Sequence, residues 1–225
     1  MKTVPIKSKY IIVDGPDGSG KTTVAALMQE KLEAIGYKVV RVREFDATET
    51  NKEISKVVLG NRMDDLTRLL LVSAMRKEAF DAVISPALAQ ENTIVLADRG
   101  WPSTYAYQCK NRDNKNLLQS ILSATLGEDA YVAVLITEYE TSRQRMQATG
   151  KKLDVIEQDQ DAAEYGRLVE AYSKVKPNLT VDTTRLSPAE VADLILQDFS
   201  LEVFMENSYS DERISATETN DSEAP

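Results

Sequence analysis

Residues 15–22 of this 225-residue chain read Gly-Pro-Asp-Gly-Ser-Gly-Lys-Thr and match G-x-x-x-x-G-K-[ST] at every fixed position. The chemistry is the holding of a polyphosphate. Gly15, Gly18 and Gly20 let the backbone bring successive N–H groups around an anion, with Asp17, Ser19 and Thr23 completing the cradle. Lys21 extends a positive charge toward β- and γ-phosphates, and Thr22 offers an oxygen to a Mg²⁺ that keeps most of its waters. By composition alone the pattern arises in about one chain of this length in a hundred. Here it also follows an apolar run and opens a helical pattern, so the positive end of a helix dipole points at the same anion.

A second pair follows another apolar run. Asp98, at the carboxyl end of a parallel strand beside the loop strand, is positioned to hold the Mg²⁺ shell. Arg99 next to it offers a planar fork that matches a phosphate bidentately. A third set, Arg143, Arg145, Lys151 and Lys152, can supply the positive charge that phosphoryl transfer needs, because the loop has no arginine at its variable positions. Arg143 and Arg145 are two apart and point to nearly opposite sides of a helix. The reading favours Arg145 and Lys152.

Other chemistry is excluded. The chain has no histidine, which removes histidine triads, metal sites and proton shuttles. Asn51-Lys52-Glu53 is not a guanine-reading N-K-x-D and follows no apolar strand, which argues against a GTPase. The net charge is −9, and residues 201–225 carry seven acids against Arg213, leaving −3 for residues 1–200. Neither part offers the basic face that nucleic acid requires. No apolar run reaches the ~18 residues of a membrane span, and residues 1–9 lack the apolar region of a signal peptide. One cysteine, Cys109, fits a reducing compartment, so a cytoplasmic location is expected.

These side chains need a scaffold. Strands are predicted at Tyr10–Val13, Lys38–Val42, Thr93–Ala97, Tyr131–Ile136 and Leu179–Val181. Helices are predicted from Gly20 to Ile35 (stopped by Gly36), over Glu49–Leu59, from an Asp64 cap through Phe80, around Ser103–Gln108, and over Asn114–Leu126, Tyr139–Thr149 and Asp159–Val175. Pro86 predicts a break or a new helix start, and Ser187-Pro188-Ala189-Glu190 a capping box opening a last helix to about Phe199. The alternation implies an α/β protein: a three-layer α/β/α P-loop fold with a five-stranded parallel sheet and a helical lid. Residues 1–200 read as one domain with a lid at 143–157, and 201–225 as an acidic, disordered tail.

Asp98-Arg99-x-x-x-Ser103 followed by Ala106-Tyr107-Gln108 resembles the signature of thymidylate kinases, which phosphorylate dTMP to dTDP with ATP and Mg²⁺. The resemblance runs over most of residues 9–198. It implies that Asp17 sits near the acceptor sugar and phosphate and that Arg99 grips the dTMP phosphate. Arg43-Glu44 ends the second strand where the family carries Arg-Glu-Pro-Gly-Gly. Residues 69–76 look like the helix lining the base pocket, with Arg76 at the base edge. Thr104, Tyr107 and Gln108 fall on the acceptor side, Tyr107 crowding out a 2′-hydroxyl. Residues 143–157, closing in Asp154-x-x-Glu157, look like the mobile lid, and residues 181–192 like the segment flanking adenine. A homodimer is implied as well.

Three acceptor-side positions depart from the family. Val72 stands where a Phe usually stacks on thymine, Phe45-Asp46-Ala47 replaces Pro-Gly-Gly, and Gly100-Trp101 replaces the commoner aromatic residue. Phe45 offers replacement aromatic surface. The expected function is ATP-dependent phosphorylation of a deoxynucleoside monophosphate, dTMP first. The alternatives are a kinase for another or modified deoxypyrimidine monophosphate, and a non-catalytic nucleotide-binding protein. Partners other than nucleotides, such as nucleic acid or a membrane, are not expected.

Overall fold

The apolar runs become the strands of one sheet: β1 (Lys9–Asp14), β2 (Lys38–Val42), β3 (Thr93–Asp98), β4 (Tyr131–Ile136) and β5 (Leu179–Asp182). The computed structural model describes residues 9–125, 130–150 and 160–200. All strand pairs are parallel, in the order β2-β3-β1-β4-β5. β3 is buried along its whole length, as expected of a central strand covered on both faces. Val13 of β1 lies level with Asp98 of β3 and Ala133 of β4, so three carboxyl ends open together at one edge of the sheet. Ligands of open parallel sheets bind outside that edge.

The helices are α1 (Lys21–Ala34), α2 (Glu49–Gly60), α3 (Asp65–Ala79), the short α4 (Ser85–Leu88), α5 (Trp101–Gln108), α6 (Arg112–Thr125), α7 (Tyr139–Ala148), α8 (Ala162–Ser173) and α9 (residues 188–200). Val24, Met28 and Leu32 of α1 and Val191, Ile195 and Phe199 of α9 pack on one face of the sheet, against Ile11, Val13 and Leu96. Ala106 of α5 and Leu168 and Tyr172 of α8 pack on the other, against Ile12, Val95 and Val134. That is the expected three-layer arrangement. Among the described residues no helix is long and apolar enough to cross a membrane.

Most predicted ends hold for local reasons. Asp64 caps α3 by accepting from Thr67 N at 2.9 Å, and Ser187 and Glu190 form a reciprocal box at the start of α9. Each such cap is worth about 1 kcal/mol. Pro86 does not break the chain's helical course. Residues Phe80–Ile84 take π geometry and lead from α3 directly into α4, where Pro86 sits in the first turn and needs no N–H partner. Residues 151–157 of the expected lid, and the tail, lie outside the described residues.

Candidate active site

The loop between β1 and α1 is shaped by what it touches. Gly15 has φ +144°, and a Cβ there would lie 2.0 Å from the Leu135 carbonyl oxygen of β4. Gly18, at φ +75°, would press a Cβ to 2.6 Å from the Ser142 carbonyl oxygen in α7. Only glycine combines these dihedrals with such close approach. The loop is then tied down by hydroxyls: Ser142 Oγ donates to the Asp17 carbonyl at 2.7 Å and Thr183 Oγ1 to the Ser19 carbonyl at 3.0 Å. Lys21, buried at the start of α1, donates from Nζ to the Pro16 carbonyl at 2.7 Å. Burial, and then the neighbouring Arg99, lower its pKa to about 8. Thr22 Oγ1 donates to Asp98 Oδ2 at 2.6 Å, joining the first turn of α1 to the tip of β3. The buried Ser19 hydroxyl has no hydrogen-bond partner among the described residues.

Arg99 leaves β3 with φ +76°, a left-handed conformation uncommon outside glycine. Its N–H donates to the Val13 carbonyl at 3.0 Å, which keeps the turn against β1. The guanidinium forms an ion pair with Asp17 and donates to the Gly15 carbonyl at 3.2 Å and to Ser103 Oγ at 3.0 Å. Burial opposes its charge, but Asp17 and its neighbours hold the pKa well above the ordinary guanidinium value. Tyr107 donates to the other Asp17 oxygen at 2.9 Å, and its ring lies 5.9 Å from the Arg99 guanidinium carbon. Burial, then Asp17, push the Tyr107 pKa well up, so the phenol stays a donor.

Both cradles face one cleft of about 1070 Å³. Asp17 to Thr23, Asp98, Arg99 and Tyr107 line it on the phosphate side. Its base-side wall carries Phe45, Val58, Leu59 and Val72. Phe45 packs with Val72, Val58 and Met75 in one small apolar cluster, so the aromatic loop residue rests on the helix residue that lacks a ring. The loop is pinned there. Asn51 donates to the carbonyls of Glu44 and Met75 at 2.7 and 2.9 Å, and Arg76 holds Glu44 through two bonds of 2.6 and 2.9 Å. Arg76 also donates to the Thr104 hydroxyl at 2.8 Å, and its remaining Nη1 has no hydrogen-bond partner among the described residues. Burial raises the Glu44 pKa while Arg76 pulls it down. Arg43 is exposed at the rim and pairs with Asp46, and Gln108 borders the cleft from α5. Trp101 packs into the core and takes no part in the lining.

On the donor side Arg145 projects from α7 and borders the cleft with Thr183, Leu186, Pro188 and Val191. Its guanidinium donates to Thr183 Oγ1 at 3.0 Å, the Thr183 carbonyl at 2.7 Å and the Gly18 carbonyl at 3.4 Å. Arg143 is not in the lining, as a spacing of two residues requires. Lys152, Asp154 and Glu157 lie outside the described residues. Among the described residues no group of three or more Asp, Glu, His or Cys side chains could hold a metal. The Thr22–Asp98 pair offers oxygen donors only, which fits a hard cation that completes its shell with water and phosphate.

The thymidylate kinase family model matches residues 13–195. The chain belongs to the thymidylate kinase family. A thymidylate kinase of Caldicellulosiruptor saccharolyticus is 37% identical over 157 residues, 66% of this chain and 75% of that one. One of Pelotomaculum thermopropionicum is 37% identical over 170 residues, 73% of this chain and 77% of that one. The crystal structure of thymidylate kinase from Ehrlichia chaffeensis superposes with a TM-score of 0.64 at 26% identity, covering 84% of this chain and 98% of that one. The five-stranded fold is thus the fold of this kinase family.

Three parts of the site carry no motif. Asp14, wholly buried at the end of β1, accepts from the N–H groups of Gly15, Gly100 and Ser103 and from the hydroxyls of Ser103 and Tyr172. The Glu44–Arg76 pair joins the loop after β2 to α3, and Thr183 reaches the P-loop from beyond β5. Sequence offered one signal for the first: an acidic residue closing a strand otherwise made of buried apolar residues.

Proposed function

We propose that this chain transfers the γ-phosphoryl group of ATP to the 5′-phosphate of dTMP, giving dTDP and ADP. The observation that carries the reading is the placing of Lys21, at the start of the helix that follows β1, and Arg99, at the tip of neighbouring β3, in the lining of one cleft, with Asp17 paired to Arg99. ATP lies along the P-loop, with Gly15, Gly18, Ser19, Gly20 and Thr23 shaping the cradle and Lys21 exchanging the Pro16 carbonyl for phosphate oxygens. The monophosphate displaces Asp17 from part of the Arg99 fork. Asp17 turns to the acceptor side with Tyr107, while Phe45, Val72, Arg76, Thr104, Gln108 and Arg43 surround base and sugar. Arg145, beside Gly18, and Lys152 supply charge to the transferred group. No general base is needed, because the acceptor oxygen is already anionic. Thr22 and Asp98 would hold Mg²⁺, which offsets phosphate charge when bound.

A second reading keeps the phosphate chemistry and changes the base. Val72 gives the cleft wall less bulk than a ring, and Phe45 covers it from a loop rather than from α3. A modified deoxypyrimidine monophosphate fits that wall too. Initial rates of ATP consumption with dTMP, dUMP, dCMP, a 5-substituted pyrimidine monophosphate and purine monophosphates decide the matter. The expected result is a preference for dTMP of about tenfold or more, the scale set by one misfit in a pocket. A preference for any other base moves the assignment, and no turnover with any of them supports a non-catalytic nucleotide binder.

The kinase unit is residues 1–200, supported by the family match over residues 13–195. It works as a homodimer in the cytoplasm. Leu66 and Leu70 stand four apart on α3 with 44% and 50% exposure, an apolar face suited to a second copy. Light scattering is expected to give twice the 25.0 kDa chain mass, falling to one copy in Leu70→Glu; a wild-type monomer contradicts the dimer.

A further inference from the structure

The kinase reading uses Arg99 and the P-loop but leaves unexplained what fixes one against the other. The space between them is filled by a buried polar knot. Asp14 Oδ1 accepts from the Gly15 N–H at 2.7 Å and from Ser103 Oγ at 2.6 Å, and Asp14 Oδ2 accepts from the N–H groups of Gly100 and Ser103 at 3.0 and 2.9 Å. The three from Gly100 and Ser103 clamp the turn that carries Arg99 onto the end of β1, and the one from Gly15 ties in the start of the P-loop.

One further donor enters from a different layer. Tyr172, on α8 and wholly buried, places its hydroxyl 3.0 Å from Asp14 Oδ1, 3.2 Å from the Gly15 carbonyl oxygen and 3.0 Å from Ser103 Oγ. The Ser103 proton is committed to Asp14 at the shortest of these distances, so the phenol is the donor into this junction. Burial, then Asp14, push its pKa well above the ordinary value, and the phenol keeps its proton throughout the working range. The Gly15 carbonyl and Ser103 Oγ that it meets are also the two neutral acceptors that hold Arg99 Nη1. A plain core tyrosine needs one acceptor. This one touches the loop of each cradle and both neutral anchors of the arginine.

We infer that Tyr172, acting through Asp14, Ser103 and the Gly15 carbonyl, is a positioning residue that sets the Arg99 guanidinium against the P-loop. This rests on the kinase reading above. When a substrate phosphate draws the guanidinium away from Asp17, Arg99 Nη1 keeps Gly15 O and Ser103 Oγ as acceptors and Asp14 Oδ1 as an ionic partner at 3.8 Å. All three lie within hydrogen-bond distance of the Tyr172 hydroxyl, which holds them together. Without it the arginine keeps its charge and loses its aim, and misplacement of a positioning group is costly to transfer.

The test is Tyr172→Phe, which keeps the ring and removes the hydroxyl, beside Tyr131→Phe, which removes a hydroxyl bonded to Asp198 at 2.6 Å at the opposite end of the sheet. Steady-state kinetics for both substrates and Tm are measured for the full chain. In Tyr172→Phe, kcat/KM for dTMP is expected to fall about tenfold with KM for ATP within about twofold of wild type. Tyr131→Phe is expected to change Tm alone. Ser103→Ala should give a like split between substrates, and the double variant Tyr172→Phe/Ser103→Ala should be much less impaired than the product of the two effects. If Tyr172→Phe lowers Tm and leaves both specificity constants at wild-type values, or weakens ATP and dTMP equally, the positioning role is wrong. A wild-type protein that phosphorylates no monophosphate overturns the kinase reading instead, which separates the two failures.

Discussion

Replacing Arg99 by alanine is expected to lower kcat/KM for dTMP by about 10³-fold or more, while ATP binds with an affinity within about twofold of wild type. The guanidinium is paired directly with Asp17, and it enters the cleft from the tip of β3 rather than from the P-loop. Its loss therefore removes the acceptor's phosphate anchor and leaves the donor cradle of backbone N–H groups and Lys21 in place. It also removes the Arg99 charge that faces the Asp17 carboxylate. Arg99→Lys restores the charge without the fork and is expected to recover only part of the activity. Kinetics for each substrate, with nucleotide affinity from calorimetry, check this. Activity within tenfold of wild type in Arg99→Ala contradicts the assignment.

Lys21→Met should have the complementary effect: a loss of about 10³-fold in kcat, with KM for dTMP little changed. On the proposed reading the lysine meets the phosphates of the donor, where its charge matters most as negative charge shifts during transfer. A second consequence follows from its surroundings. In the nucleotide-free protein the Lys21 pKa is lowered to about 8 from a model-compound value of 10.5, burial being the main cause. Between those values the unfolded chain binds more protons than the folded one, so this group's contribution to stability rises with pH from about 8 to about 10.5. Below pH 8 its buried charge costs on the order of 3 kcal/mol. Lys21→Met is therefore expected to be more stable than wild type at pH 7, with the difference shrinking toward pH 10. Thermal denaturation of both proteins without nucleotide checks it, and equal Tm values across this range contradict it.

The strands and the two phosphate-binding segments were legible in the sequence because each is a local pattern. A run such as Tyr131–Ile136 has one stable use in an alternating chain, and the glycines at 15 and 18 stand where a Cβ has no room. The junction of Asp14, Ser103 and Tyr172 was not legible. Its members are separated by up to 158 positions: Ser103 stands in the Asp98-Arg99 signature and Asp14 before the loop, but nothing local ties either to Tyr172, which passes for a core tyrosine. Arg76 shows the same limit. Its place on the base-side helix is readable, but its bidentate hold on Glu44 depends on how the loop after β2 folds back, which Asn51 decides by bonding two carbonyls at once. Of the two expectations at Pro86, a break or a new helix start, the second holds: α4 opens at Ser85 with Pro86 in its first turn, and what was not legible is the π segment leading into it, because π geometry has no simple sequence period.

The account stands or falls on whether the phosphoryl group leaving ATP lands on a nucleotide. Incubating the full chain with ATP labelled at the γ-phosphate, Mg²⁺ and dTMP should place the label in dTDP, one for each ADP formed. Label that appears only as inorganic phosphate, or stays in ATP while each monophosphate offered goes unlabelled, contradicts it.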